Sequence, residues 1–148
     1  MSAAKFTVVA VFCAASILFV PGCNRGGEGL AVVKGKVTYR GKPVPNGTIN
    51  FLPADGNKPS ATGEIQSDGS YALRTIQASG TGDGAVIGKH TVVIVAMQDM
   101  ASRLPEERVP LPPPIVPVKY TSPATSDLTA QVEDKENTID FDLKDEAK

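Results

Sequence analysis

Apolar and polar residues alternate with a period of two through most of the chain beyond residue 30, the pattern of half-buried strands. From 33 to 39, Val33, Val37 and Tyr39 fall on one face and Lys34, Lys36 and Thr38 on the other. Residues 41–47 read as a turn region, because Pro43 and Pro45 cannot donate to a ladder and Asn46-Gly47 favours a tight turn. Ile49 and Phe51 then point one way from a second strand, and 54–60 is a polar loop. Ser67-Asp68-Gly69-Ser70 predicts a turn between strands at about 63–66 and 70–74. Residues 77–84, rich in Gly, Ser and Thr, predict a loop. The segment 89–96 is the most continuously apolar and predicts a central strand. Two last runs, around 128–133 and 136–143, predict a hairpin across Asp134-Lys135-Glu136, with Ile139, Phe141 and Leu143 inward and Asp140 and Asp142 outward.

One region breaks the alternation. Residues 98–123 carry Pro105, Pro110, Pro112, Pro113, Pro114, Pro117 and Pro123, too dense for a helix or a central strand. They read as a stiff Pro-rich loop across the surface, with one short helical turn allowed at 101–108. About seven short strands with regular turns and almost no helix make an all-β protein, an immunoglobulin-like β-sandwich spanning 31–148.

The first 22 residues follow a different rule. Lys5 is followed by FTVVAVFCAASILFV, 15 almost entirely apolar residues. A bilayer-spanning helix needs about 20, so the layout matches a secretory signal peptide over 1–22. A buried core helix would leave the polar, Gly-rich break that follows unexplained. The end, Val20-Pro21-Gly22-Cys23, resembles the lipobox of bacterial lipoproteins, although Pro21 is unusual there. On that resemblance, cleavage falls before Cys23, which carries the acyl anchor.

Cysteine usage agrees, since the only other cysteine, Cys13, lies in the part removed. Cys23 is left with no disulfide partner in the mature chain and with no neighbouring residues at metal-ligand spacing. A Gly-rich tail beside a membrane also gives a catalytic thiol no rigid base. Residues 23–30 then form a lipidated flexible tether. Its polar part, 24–29, reaches at most about 20 Å. The expected location is the cell envelope, with the domain facing the periplasm or the exterior.

Charge narrows the partners. Lys5 leaves with the signal, so 15 basic residues become 14 against 16 acidic, a net of −2. Such a balance excludes a nucleic-acid footprint and a polybasic membrane patch. Aromatic rings in the mature chain are Tyr39, Phe51, Tyr71, Tyr120 and Phe141, with no Trp. Most sit in alternating apolar patterns and belong to the core. Tyr120, after the Pro-rich loop, is the candidate for an exposed sugar-stacking ring. His90, the only histidine, shares a face with Val92 and Ile94 and reads as a satisfied inward side chain. No nucleophile elbow is present. Asp55-Gly56-Asn57, Asp68-Gly69 and Asp83-Gly84 read as Asx turns, since none has the spacing of a calcium loop. Catalytic, cofactor and metal residues are therefore expected to be none.

Val33-x-Gly35-x-Val37, then Gly41-Lys42-Pro43-Val44-Pro45-Asn46-Gly47-Thr48-Ile49-x-Phe51, resembles the opening of the carboxypeptidase regulatory-like domain. Asp68-Gly69-Ser70-Tyr71-Ala72-Leu73 and Gly88-Lys89-His90-Thr91-Val92 resemble later elements of the same family. The C-terminal part is similar to small planctomycete envelope lipoproteins. The resemblance covers about 32–143 and implies a transthyretin-like sandwich acting as a non-catalytic accessory module. Hydroxyisourate hydrolases share that fold but use several histidines and a C-terminal tetrapeptide ending in Gly-Ser, which this chain lacks. The expectation is a membrane-tethered interaction or structural module contacting an envelope protein or glycan. The alternative is a small-ligand or carbohydrate-binding lipoprotein.

Overall fold

The alternating segments do form strands, and their apolar faces meet between two sheets. The computed structural model describes residues 29–97 and 114–145. The strands are β1 (Leu30–Ala31), β2 (Val33–Tyr39), β3 (Lys42–Pro43), β4 (Gly47–Pro53), β5 (Ala61–Ile65), β6 (Ser70–Ala72) and β7 (Arg74–Gln77). They continue with β8 (Gly80–Asp83), β9 (Ala85–Val86), β10 (Gly88–Val95), β11 (Thr129–Val132), β12 (Asn137–Thr138) and β13 (Phe141–Leu143). Among the described residues the one helical turn is 3-10, Val118–Thr121.

The larger sheet has the order β11-β10-β4-β5-β7-β8 and is antiparallel throughout. The smaller is centred on β2, with β12 and β13 parallel along one edge and β6 and β3 antiparallel along the other. A two-residue pair, β1 with β9, stands apart. Ile49, Phe51, Val92 and Ile94 from the larger sheet, all at 0% exposure, belong to one core cluster with Val33, Val37, Tyr71 and Leu143 of the smaller. This all-β sandwich is the architecture the alternation predicts. Each such buried side chain contributes about 1.5–3 kcal/mol.

Strand partners differ from the sequence reading in several places. The last two runs are not a hairpin: β11 pairs with β10, whereas β12 and β13 pair with β2. The turn at 133–136 crosses from one sheet to the other. Asn137 holds it, its Nδ2 donating to the Glu133 and Lys135 carbonyls at 3.0 and 2.6 Å. Residues 77–84, read as a loop, form the hairpin β7–β8 with Ala78 and Ser79 at its tip. The tight turn of 41–47 lies earlier, at Arg40-Gly41, where Tyr39 pairs with Lys42 and both turn residues have φ above zero (53° and 72°). Such a pair is what a type I′ hairpin turn demands. Asn46-Gly47 instead leads into β4, where a Cβ on Gly47 would come within 2.6 Å of the Val95 carbonyl. Two of the seven expected strands are divided, 70–74 into β6 and β7 and 136–143 into β12 and β13, and β1, β3, β8 and β9 are additions. The sheet starts at Leu30, which is buried and opposite Val86.

Candidate functional site

The feature that organises the outer surface is a break in a hairpin. β5 and the stretch β6–β7 keep one register, closed at one end by Gln66 N–H donating to Ser70 O at 2.8 Å and at the other by Thr62 opposite Arg74. The rung between them, Glu64 opposite Ala72, is not formed. Leu73 N–H donates to Val33 O, and Val37 N–H to Gly69 O, both at 2.9 Å. Residues 69, 71 and 73 are thereby turned toward β2. Backbone alternation then turns the N–H and C=O of Ala72 the other way, toward the missing rung. At Leu73 the strand changes sheets, and the chain splays.

Glycine makes the splay possible. A Cβ on Gly63 would lie 2.7 Å from the Ala72 carbonyl, so only glycine admits β6 at this depth. The same device recurs across β6. A Cβ on Gly35 would overlap the Ile139 carbonyl, which has turned out of the β2 ladder to accept the Tyr71 hydroxyl at 2.6 Å. The Asp140 carboxylate takes over the vacated position, accepting the Lys36 N–H at 2.8 Å. This substitution divides β12 from β13, although both keep one register on β2.

Between these two irregularities lies an open cleft of about 1080 Å³. The outward residues Ser70 and Ala72 of β6 are small. Lys34 and Lys36 rise from β2 on one side, and Thr62, Glu64 and Arg74 rise from β5 and β7 on the other. Lys34 pairs with Glu136, and Arg74 Nε lies 3.4 Å from Asp83. Among the described residues neither Lys36 nor Glu64 makes an ion pair. Burial, with the nearby Asp140 charge, pushes the Tyr71 phenol well above its usual range, so it stays a neutral donor to Ile139. Asp68 closes the turn at the cleft's end as an Asx turn, accepting from Ser70 N–H at 3.0 Å and Ser70 Oγ at 2.6 Å. Those bonds hold its carboxyl below the ordinary range.

His90 is inward, as expected, but only half satisfied. Its Nδ1–H donates to the Gly88 carbonyl at 3.1 Å, whereas buried Nε2 has no partner. The ring is 5.7 Å from that of Phe51, and burial lowers its pKa. Tyr120, the candidate free ring, is buried (3% exposed), its hydroxyl donating to the Lys144 carbonyl at 3.2 Å. A sugar platform there is ruled out. Of the Pro-rich loop 98–123, residues 98–113 lie outside the described residues, as does the short helical turn expected at 101–108. Its return limb is anchored by the Met97–Pro114 bridge and by buried Val116 and Tyr120. Cys23 and the segments 1–22 and 23–28 also lie outside the described residues. Among those described, no helix is long and apolar enough to cross a membrane and no three His, Cys, Asp or Glu side chains cluster as metal ligands.

No site residue was expected in the cleft. Its walls are the polar halves of alternating strands, which a sequence pattern assigns simply to solvent. The one signal was Gly35 and Gly63 within strands, a mark of close backbone approach. No protein family, curated protein or solved structure matches the chain.

Proposed function

We propose that this chain is a membrane-tethered, non-catalytic lipoprotein of the cell envelope, anchored through acylated Cys23. Its carboxypeptidase regulatory-like sandwich acts as an interaction module. The observation that carries the reading is the open cleft between β2 and β5, which offers polar groups of both signs and hydroxyls on a rigid β scaffold. It has room for an extended polar partner, and its openness suits a polymer better than an enclosed small molecule. A non-catalytic role is supported by His90, whose ring is sealed in the core with Nδ1 engaged by Gly88. The anchor places this surface within reach of the membrane, since the tether spans at most about 20 Å.

A second reading, a small-ligand or carbohydrate-binding lipoprotein, is favoured by the convergence of hydroxyl and charged groups in the same cleft. Two measurements test the proposal. The intact mass of the detergent-extracted mature chain should show an acylated N-terminus at residue 23, lost in Cys23→Ala; an unmodified N-terminus would overturn the tether. A photo-crosslinking residue at Thr62 should capture envelope material from the anchored protein, and one at exposed Lys58, away from the cleft, should not. Equal capture at both sites would overturn the cleft as the contact surface.

A further inference from the structure

Resting on that reading of the cleft, we infer that its ligand is an acidic, hydroxyl-rich sugar polymer, held by carboxylate contacts to the β2 lysines. Three features carry this. First, the cleft has no side-chain pocket for a peptide anchor. Peptide and protein partners draw most of their affinity from aromatic, Arg or aliphatic anchors sunk in apolar pockets. The lining here has no Leu, Ile, Val or Phe, and its single aromatic ring, Tyr71, is buried. Second, the groups on offer suit hydroxyls. Thr48, Thr62 and Thr138 carry hydroxyls and Gln66 an amide, each able to donate and accept, and Ser70 Oγ, whose proton goes to Asp68, can still accept. The open rung adds the outward backbone groups of Ala72.

Third, the lining carries three cations against two carboxylates, and the ion pairs that hold two of the cations are exposed ones, worth about 0–1 kcal/mol, that a ligand carboxylate can replace. Lys34, Lys36 and Arg74 face Glu64 and Asp140, and Asp140 already accepts the Lys36 N–H. Lys34 and Lys36 lie two residues apart on one face of β2, about 6.6–6.8 Å along the strand. Their long, flexible stems let that row reach successive carboxylates along one side of an extended polymer. Of the cleft's three cations, Lys36 is the one that makes no ion pair among the described residues, so it is the first contact. Glu64, on the opposite wall, accepts from sugar hydroxyls and limits how acidic a ligand the cleft tolerates.

Affinity electrophoresis of the detergent-solubilised protein tests this, with sodium polygalacturonate, its methyl-esterified form, neutral dextran and poly-L-glutamate as probes. Polygalacturonate should retard the protein, and esterification, which removes charge but keeps the hydroxyls, should reduce the effect at least tenfold. Lys36→Ala should weaken binding about tenfold and Glu64→Gln should strengthen it, while Lys58→Glu, away from the cleft, should leave it unchanged. Added salt should weaken the interaction, because the cleft is open to solvent. Equal binding of poly-L-glutamate would overturn the sugar in favour of an acidic peptide. Equal binding of dextran, or no effect of Lys36→Ala, would overturn the carboxylate contact. If no polysaccharide binds while the Thr62 crosslinker still captures envelope material, the ligand class fails and the cleft reading survives. If neither occurs, both fall.

Discussion

The two sheets of this sandwich are built by different means. In the larger, β4 and β10 stay in register over six consecutive pairs, from His90 opposite Pro53 to Val95 opposite Thr48. Backbone satisfies backbone there, and the inward residues only have to be apolar. In the smaller, β2 keeps none of its partners for its full length, and side chains repair the ladder. Asp140 replaces a backbone acceptor, Tyr71 takes up a displaced carbonyl, and Thr38 Oγ1 reaches Asp142 at 3.0 Å. Irregular pairing, made possible by Gly35 and Gly63, opens the cleft. The cleft thus opens where pairing fails, between β2 and β6 of the smaller sheet and the β5–β7 edge of the larger, and polar side chains carry what backbone pairing gives up there.

If that contrast holds, the regular sheet should fail through lost burial. Phe51, at 0% exposure, touches both sheets, with ring centroids 6.0 Å from Phe141 and 6.4 Å from Tyr71. Phe51→Ala should lower unfolding stability by about 3–5 kcal/mol in urea denaturation. A cost below about 1 kcal/mol would mean that the sheets are not held together through this ring. The irregular sheet should instead fail through lost hydrogen bonds. Tyr71→Phe keeps the ring and removes the bond to Ile139 O, so the cost should be about 1–3 kcal/mol, that of an unsatisfied part-buried carbonyl. It should also reduce hydrogen-exchange protection at Ile139, whose N–H donates to Lys34 O at 2.8 Å. An unchanged exchange rate there would separate Tyr71 from the break.

This difference also sets what could be read from the sequence. Period-two alternation fixes which face a residue takes, and Val33, Ile49, Phe51 and Leu143 all lie where it puts them. It says nothing about which strand lies alongside. The run 136–143 therefore looked like the second arm of a hairpin, although its partner, β2, is about a hundred residues earlier. Partner choice here is decided by packing across the core and by local repairs such as Asp140, whose outward position was legible and whose bond to Lys36 was not. Asp68-Gly69 was legible because the turn is closed by its own side chain. Tyr120 was misread because proline density marks a loop without indicating whether the loop's return limb packs. The cleft was hidden for a simpler reason, since solvated strand faces carry no periodic signal of concavity.

A smaller effect lies back in the regular sheet, at buried His90. Protonating His90 would add an N–H at Nε2 beside Phe51 with no acceptor. Its folded-state pKa is lowered, chiefly by burial, with the bond to the Gly88 carbonyl and the Asp55 charge opposing and Lys58 assisting. A depressed pKa means that the unfolded chain binds the proton more readily. The contribution is therefore complete above the unfolded value, about 6.5, and is lost as pH falls from there toward the folded value. Stability should decline by about 1 kcal/mol over that window, the low end for an unsatisfied buried donor. His90→Gln should flatten the decline. A wild-type profile flat between pH 7 and 5 would mean that Nε2 has found a partner.

The smallest expected effect sharpens the comparison from the cleft's side. Lys34 and Glu136 form an ion pair with both side chains more than half exposed, and such pairs contribute about 0–1 kcal/mol. It joins β2 to the turn before β12, at the edge where side chains already repair the ladder. Were this edge held by charge, Glu136→Gln would loosen β12, and the loss would shrink in high salt. If it is held by Asp140, Tyr71 and Asn137, Glu136→Gln should change stability by less than about 0.5 kcal/mol. The freed Lys34 should then bind polygalacturonate more tightly. Tighter binding with unchanged stability would show that the pair restrains a cleft cation rather than supports the fold.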